Sequence, residues 1–199
     1  WRSYYRKRLQ SDEAFDNKHN VQTMGIADEF DMTVPSENRG FGLGYEGTPV
    51  QDFAGMFDFL PQDVSDFTYV DFGSGKGRTL MLAADFNFGA IIGVEFSEEL
   101  DTIAKKNVEV YRGERQRCFD LTPILQDAAT FDIPDGKTVF YFYYPFNVVV
   151  LEKVMRNILE SYEKSPRKMI FVFRFDQASW RTDCEELFKR LNHVSKINV

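Results

Sequence analysis

The sequence predicts an α/β fold in which a doubly wound, mostly parallel sheet carries helices on both faces. Apolar runs of strand length recur along the chain, at residues 67–72, 90–95, 121–127, 138–144 and 168–175. All but the weaker run at 121–127 are nearly continuous rather than alternating, as expected of parallel strands that are covered on both faces. Apolar residues at helical spacing follow several of these runs. Strand and helix in alternation indicate an αβα sandwich.

Three apolar stripes at helical spacing identify helices that pack on this sheet. The first begins at Leu100, with Ser97 as its predicted N-cap and two glutamates in its first turn. The second begins at Leu151 and the third at Trp180. Each stripe is interpreted as a packing face rather than as a functional surface.

The N-terminal quarter of the chain differs in character from the rest. The first twenty residues mix basic and acidic side chains with a weak helical pattern, and they begin without Met or an apolar leader, like a trimmed fragment. Residues 39–49 are glycine-rich, too flexible for a helix or a long strand. We therefore divide the chain into an N-terminal extension, 1–49, and a ligand-binding domain, 50–199.

Composition excludes several classes of protein and site. The formal charge of −7 argues against a general nucleic-acid binder, and no apolar run approaches the roughly 20 residues that span a bilayer. Cys118 and Cys184 have no metal-ligand spacing, and His19 and His193 are isolated. We expect a cytoplasmic protein with no disulfide and no metal site.

A glycine-rich turn marks the candidate ligand site at the end of the first predicted strand. The sequence there reads V-D-F-G-S-G-K-G-R, with glycines at 73, 75 and 77. A dinucleotide fingerprint would need its third glycine at 78, where Arg78 stands. The turn therefore fits a cofactor that has no pyrophosphate to place on the helix N-terminus. A purely structural turn is the alternative.

Two acidic residues end neighbouring strands at the same predicted sheet edge. Glu95 closes the second strand, where its carboxylate can accept hydrogen bonds from ribose hydroxyls. Asp127 follows the third strand, and its carboxylate can accept from an adenine amine while nearby backbone N–H groups donate to the ring. An ordinary exposed glutamate and a common loop aspartate are the alternatives.

These motifs together resemble the first half of class I S-adenosylmethionine-dependent methyltransferases, which have a Rossmann-like fold. D-F-G-S-G-K-G-R, G-V-E-F and the A-x-x-N segment at 104–107 carry the resemblance, which extends over about residues 40–175. More narrowly, the chain is similar to bacterial proteins related to non-SET histone lysine methyltransferases, through Tyr45 and the Thr48–Pro49 dipeptide. The resemblance implies S-adenosylmethionine as cofactor and S-adenosylhomocysteine as product.

The resemblance also implies roles for individual residues. Asp71 and the backbone of Gly73 would hold the methionine amino group, Glu95 the ribose, and Asp127 the adenine. Lys76 or Arg78 would serve the carboxylate or cap the turn, and the segment from Tyr45 to Pro49 would close over the cofactor as a lid. The full predicted cofactor site comprises Tyr45, Thr48, Asp71, Gly73, Ser74, Gly75, Gly77, Glu95, Asp127 and Ala128.

The acceptor side is predicted at the end of the fourth strand, at Tyr144, Pro145 and Phe146. Relatives commonly read Asn-Pro-Phe here, so that Tyr144 stands in place of an Asn, and Asn147 is predicted to cap the next helix. We expect an amine acceptor, a protein lysine above all, with aromatic faces stabilising its cation. A small-molecule N- or O-methyltransferase and a non-catalytic cofactor-binding module are the alternatives.

The C-terminus departs from the family pattern. After the fifth strand, residues 196–199 leave room for a sixth strand at most, whereas class I enzymes have an antiparallel seventh. Either the chain is truncated or the last strand is dispensable. The sequence leaves the oligomeric state open.

Overall fold

A computed structural model describes residues 2–27, 32–38, 40, 42, 44–175 and 178–191. Its elements, in chain order, are α1 (Arg2–His19), β1 (Ile26–Ala27), β2 (Tyr45–Glu46), α2 (Val50–Phe53), β3 (Phe67–Phe72), α3 (Arg78–Ala83), β4 (Ala90–Glu95), α4 (Glu98–Val110), β5 (Leu121–Leu125), β6 (Lys137–Tyr143), α5 (Val148–Lys164), β7 (Met169–Arg174) and α6 (Ala178–Leu191), with 3-10 turns at Ala54–Phe57 and Ala128–Thr130.

Five parallel strands form the central sheet, in the order β5-β4-β3-β6-β7. In this register Asp71 of β3 lies between Gly93 of β4 and Tyr141 of β6. Because the strands are parallel, their carboxyl ends meet at one edge, and the chain reverses its strand order between β3 and β6. This is the place where open α/β sheets bind ligands. The predicted fold class is confirmed.

Two apolar layers, one on each face of the sheet, hold the helices in place. Tyr69 and Tyr141 belong to the layer that α2 and α3 cover. Phe72, Phe140 and Phe142 belong to the layer that α5 and α6 cover, where Trp180 is fully buried. Continuous apolar strands are therefore explained by burial on both faces.

Side-chain caps set the beginnings of the two helices that follow the site strands. The hydroxyl of Ser97 accepts a hydrogen bond from Leu100 N at the start of α4, at 3.3 Å. The amide oxygen of Asn147 accepts from two backbone N–H groups at the start of α5. Both caps were predicted from the sequence, and both are confirmed.

The N-terminal extension is more ordered than its sequence pattern indicates. Residues with only a weak helical pattern form α1, an 18-residue helix whose buried side chains are Asp12 and Phe15. Within the extension, a two-residue antiparallel pairing of β1 with β2 then joins the loop after α1 to the glycine-rich segment. Because α1 buries a single apolar side chain, its sequence shows little helical periodicity. Within the described ranges no helix is long and apolar enough to cross a membrane.

Strand boundaries differ from prediction by one or two residues. The predicted strand 138–144 ends at Tyr143, because Tyr144 has a φ of 45° and leaves the extended conformation. The run 121–127 is a strand only to Leu125, and 168–175 is one over Met169–Arg174. The predicted sixth strand at 196–199 lies outside the described residues.

Candidate active site

A cavity of about 630 Å³ opens at the carboxyl edge of the sheet, above the ends of β3, β4 and β6. Nine of the predicted site residues line it, namely Tyr45, Gly73, Gly75, Glu95, Asp127, Ala128, Tyr144, Pro145 and Phe146. A smaller cavity of about 290 Å³ adjoins it and shares Tyr45 and Gly73 with it. The three other predicted residues that line this smaller cavity are Thr48, Asp71 and Ser74. Gly77 lines neither and packs against Ala104.

The glycine-rich turn brings backbone close to two other parts of the site. A side chain at Gly73 would place its Cβ 2.4 Å from Cβ of Pro145, and one at Gly75 would meet the Tyr45 ring at 2.3 Å. Both glycines also have positive φ, at 76° and 54°, which L-residues rarely adopt. The close contacts and the positive φ values thus explain why both positions are glycine.

Glu95 lies at the end of β4 with only 4% of its surface exposed. One carboxylate oxygen accepts from Gly75 N at 2.8 Å, and the other accepts from Phe96 N and Ser97 N, each at 2.9 Å. Burial raises the pKa of Glu95, and these backbone donors oppose the rise. The turn and the strand end thereby fix a hydrogen-bond acceptor at the wall of the larger cavity.

Asp71 provides a second buried carboxyl, at the wall of the smaller cavity. It is 3% exposed and accepts a hydrogen bond from the hydroxyl of Thr79. Burial raises the pKa of Asp71 to about 7, and the nearby Glu95 adds to the rise. The hydroxyl of Ser74, also buried at this cavity, has no hydrogen-bond partner among the described residues. Buried polar groups of this kind are normally satisfied, so the smaller cavity suits a polar ligand group.

Asp127 is already engaged by protein donors. Its carboxylate accepts from Ala129 N at 2.8 Å and from the amide of Asn38 at 2.7 Å, and also from the hydroxyl of Ser36. Asn38 in turn accepts from Lys153 at 2.7 Å. No local sequence pattern indicates that the extension reaches this carboxylate, because Asn38 and Asp127 lie 89 residues apart.

The predicted acceptor residues Tyr144, Pro145 and Phe146 also line the larger cavity. Tyr144 contacts Trp180 edge to face, with ring centres 5.2 Å apart. The ring of Tyr143 is covered by the guanidinium of Arg174, whose Cζ lies 5.2 Å from the ring centre. Two aromatic rings beside the predicted acceptor site, those of Tyr144 and Tyr143, are therefore already engaged within the protein by Trp180 and Arg174.

The glycine-rich segment lies over the turn, as a lid would. Tyr45 rests its ring on Gly75 and donates from its hydroxyl to the carbonyl of Thr23 at 2.5 Å. The hydroxyl of Thr48 lies 3.0 Å from that of Tyr141. Of the glycine-rich stretch 39–49, Arg39, Phe41 and Leu43 lie outside the described residues.

Arg78 lines the smaller cavity and Lys76 lines neither, and the charged groups of both residues already have protein partners. Lys76 donates to the carbonyl of Met24 at 2.6 Å and lies over the Tyr45 ring. Arg78 pairs with Asp12 of α1 at 2.7 Å, a contact that sequence reasoning missed. Asp12 stands among several other charged residues of a weakly patterned helix, so its position in the sequence carries no signal for such a partner.

Comparison with solved structures places this fold among known ones. No protein-family model matches the chain, and no curated protein sequence is similar to it. A precorrin-6y C5,15-methyltransferase from Geobacter metallireducens matches 85% of this chain and 81% of its own at a TM-score of 0.53, with 13% identity. The chain has a class I methyltransferase fold. A SAM-dependent methyltransferase from Leishmania major matches 74% of it at a TM-score of 0.52, with 14% identity.

The match covers only part of some of these proteins. It spans 63% of the Leishmania chain. An RNA methyltransferase from Salinibacter ruber, solved with S-adenosyl-L-homocysteine, shares 24% identity over 58% of this chain and 71% of its own, at a TM-score of 0.44. The two matches with TM-scores above 0.5 concern the fold alone, so that activity and substrate must be argued from the site itself.

Proposed function

We propose that this chain is an S-adenosylmethionine-dependent methyltransferase. One observation carries the proposal. The buried carboxylate of Glu95 is fixed by Gly75 N at the wall of a 630 Å³ cavity, directly beside the glycine-rich turn. On a methyltransferase-type sheet, that position suits the two hydroxyls of a ribose, which donate to a carboxylate.

The rest of the site fits the remaining parts of the cofactor. Asp71 and Ser74 offer a carboxyl and an unpartnered hydroxyl in the smaller cavity, where an amino acid group would find partners. Ala128 and Asp127 line the far end of the larger cavity, suited to adenine. Asp127 would share its oxygens between the adenine amine and Asn38.

When bound, the cofactor supplies a methyl group that its sulfonium has already activated. The protein must chiefly align the acceptor with that methyl group and exclude water. Tyr45 covers the turn, and Tyr144, Pro145 and Phe146 wall the side from which an acceptor would enter. Backbone carbonyls at Tyr144 and Pro145 would accept the N–H groups of an amine.

We further propose that the acceptor is a protein lysine, in line with the resemblance to non-SET lysine methyltransferases. The formal charge of −7 favours a basic partner over a nucleic acid. The lysine would be recognised mainly through backbone carbonyls, because the rings of Tyr143 and Tyr144 are engaged by Arg174 and Trp180.

The test is transfer of label from methyl-labelled S-adenosylmethionine to cell extract. We expect label that is sensitive to protease, resistant to nuclease and located on lysine after hydrolysis, and that is lost with Glu95→Ala. Label in nucleic acid or small molecules would replace the lysine proposal with another acceptor class. Binding of the cofactor without label in any fraction would indicate a non-catalytic module.

A further inference from the structure

Arg78 connects the cofactor turn to the N-terminal extension. It is the first residue of α3, directly after the turn, and is 3% exposed. Its Nη1 lies 2.7 Å from Asp12 Oδ2 and donates to the carbonyl of Thr48 at 3.1 Å, while its Nε donates to the hydroxyl of Thr23 at 2.6 Å. One side chain thereby reaches α1, the loop that follows it and the lid.

Asp12 completes this arrangement from the other side. It is 4% exposed, and its second oxygen accepts from Val50 N at 2.9 Å. The ion pair therefore binds the backbone at the end of the lid. Arg78 donates to the carbonyl of Thr48, and Asp12 accepts from the amide of Val50. These contacts fix the backbone on both sides of Pro49.

The other end of the lid is tied to the same group of residues through Thr23. Its hydroxyl accepts from Arg78 and donates to Asp16 at 2.5 Å, and its carbonyl accepts from the hydroxyl of Tyr45. Tyr45 is the residue whose ring rests on Gly75. The position of that ring over the turn thus depends on the contacts that Arg78 makes.

We propose that Asp12 and Arg78 are positioning residues that set cofactor affinity, by holding the lid and the glycine-rich turn in the binding geometry. This inference rests on the proposed function. A buried ion pair is weak evidence for stability, because desolvation of both charges offsets their attraction. Its directional bonds to Thr48 and Thr23, however, order in advance a segment that the cofactor would otherwise have to order, which favours binding.

The experiment replaces both charges with apolar groups of similar size, in the double variant Asp12→Leu/Arg78→Met. Such a replacement usually costs less stability than removal of one charge, since loss of Asp12 alone leaves Arg78 buried without its carboxylate. We expect a lowered thermal midpoint, because the amide of Val50 and the carbonyl of Thr48 lose their partners, and a loss of roughly tenfold or more in S-adenosylhomocysteine affinity by calorimetry. Backbone amides of residues 44–50 should exchange hydrogen faster than in the wild type, without ligand.

A matched control is available at Arg167, which donates to the carbonyls of Pro134, Gly136, Ser161 and Ser165 at the opposite edge of the sheet. Arg167→Met should lower stability and leave affinity unchanged. If the double variant is too unstable to purify, Thr23→Val removes one acceptor of Arg78 and should weaken binding by roughly two- to fivefold.

The outcomes separate this inference from the proposed function. Wild-type affinity together with wild-type exchange in residues 44–50 of the double variant would overturn the positioning role while leaving the methyltransferase proposal intact. A wild-type protein that binds no S-adenosylhomocysteine would overturn the proposed function. Exchange of residues 44–50 in the ligand-free variants would then decide whether the pair positions the lid.

Discussion

The ring of Tyr45 lies directly on the backbone of Gly75, so closely that a Cβ built at Gly75 would be 2.3 Å from Cε2 of that ring. Gly75 also donates from its backbone N to Glu95. The same glycine therefore contacts the lid on one side and the candidate ribose-binding carboxylate on the other. The geometry of the site depends on the absence of a side chain at this position.

We expect Gly75→Ala to lower S-adenosylhomocysteine affinity at least tenfold, because the methyl group must displace Tyr45 and an L-residue is strained at a φ of 54°. Stability should fall by about 1 kcal/mol. Gly55→Ala is the control, since a Cβ there would meet nothing within 4 Å. Equal affinities of the two variants in calorimetry would show that Tyr45 does not need to rest on the turn.

Asp71 should make stability decrease as pH rises. Its pKa is raised from 3.8 to about 7 by burial, so that between those values the folded protein holds a proton that the unfolded chain has released. The proton on Asp71 stabilises the folded protein fully below pH 4. This contribution to the free energy of unfolding, about 2–4 kcal/mol, is lost as the pH rises through 7. Asp71→Asn should flatten this part of the profile in urea unfolding at pH 5 and pH 8. An unchanged pH dependence would mean that Asp71 is already ionised in the folded protein.

Sequence patterns predicted the sheet, its helices and the two caps, because each depends on local spacing. Burial on both faces leaves continuous apolar runs, and Ser97 and Asn147 are typical capping residues. The sheet edge could also be predicted, since Asp71 and Glu95 lie at the carboxyl ends of β3 and β4 and Asp127 follows the end of β5 by two residues.

The extension's contribution could not be predicted in the same way. α1 buries Asp12 and Phe15, too few residues to produce a periodic signal. The Asp12–Arg78 ion pair spans 66 residues, and the Asn38–Asp127 hydrogen bond spans 89. Such contacts depend on how the extension folds back over the sheet, which no local pattern encodes.

Backbone strain at Tyr144 provides a test that does not depend on ligand. This residue has a φ of 45° and is followed by Pro145. Asn tolerates a positive φ, whereas a β-branched residue does not. Both Tyr144→Asn and Tyr144→Val lose the ring contact with Trp180, so that this loss cancels when the two variants are compared.

We expect Tyr144→Asn to be more stable than Tyr144→Val by about 1–2 kcal/mol in chemical denaturation. The Asn variant should stay within roughly 1 kcal/mol of the wild type, because relief of strain offsets the lost aromatic contact. Equal stability of the two variants would indicate that the turn relaxes to a negative φ.

The most direct measurement is a calorimetric titration of the chain with S-adenosylhomocysteine, with NAD as the comparison ligand. We expect saturable one-site binding of S-adenosylhomocysteine and no comparable response to NAD. Glu95→Ala should weaken binding by about 1–3 kcal/mol, because ribose hydroxyls would face no acceptor, while exposed Glu98→Ala should not. A wild-type chain that fails to bind, or a Glu95→Ala variant of undiminished affinity, would contradict the assignment of the site.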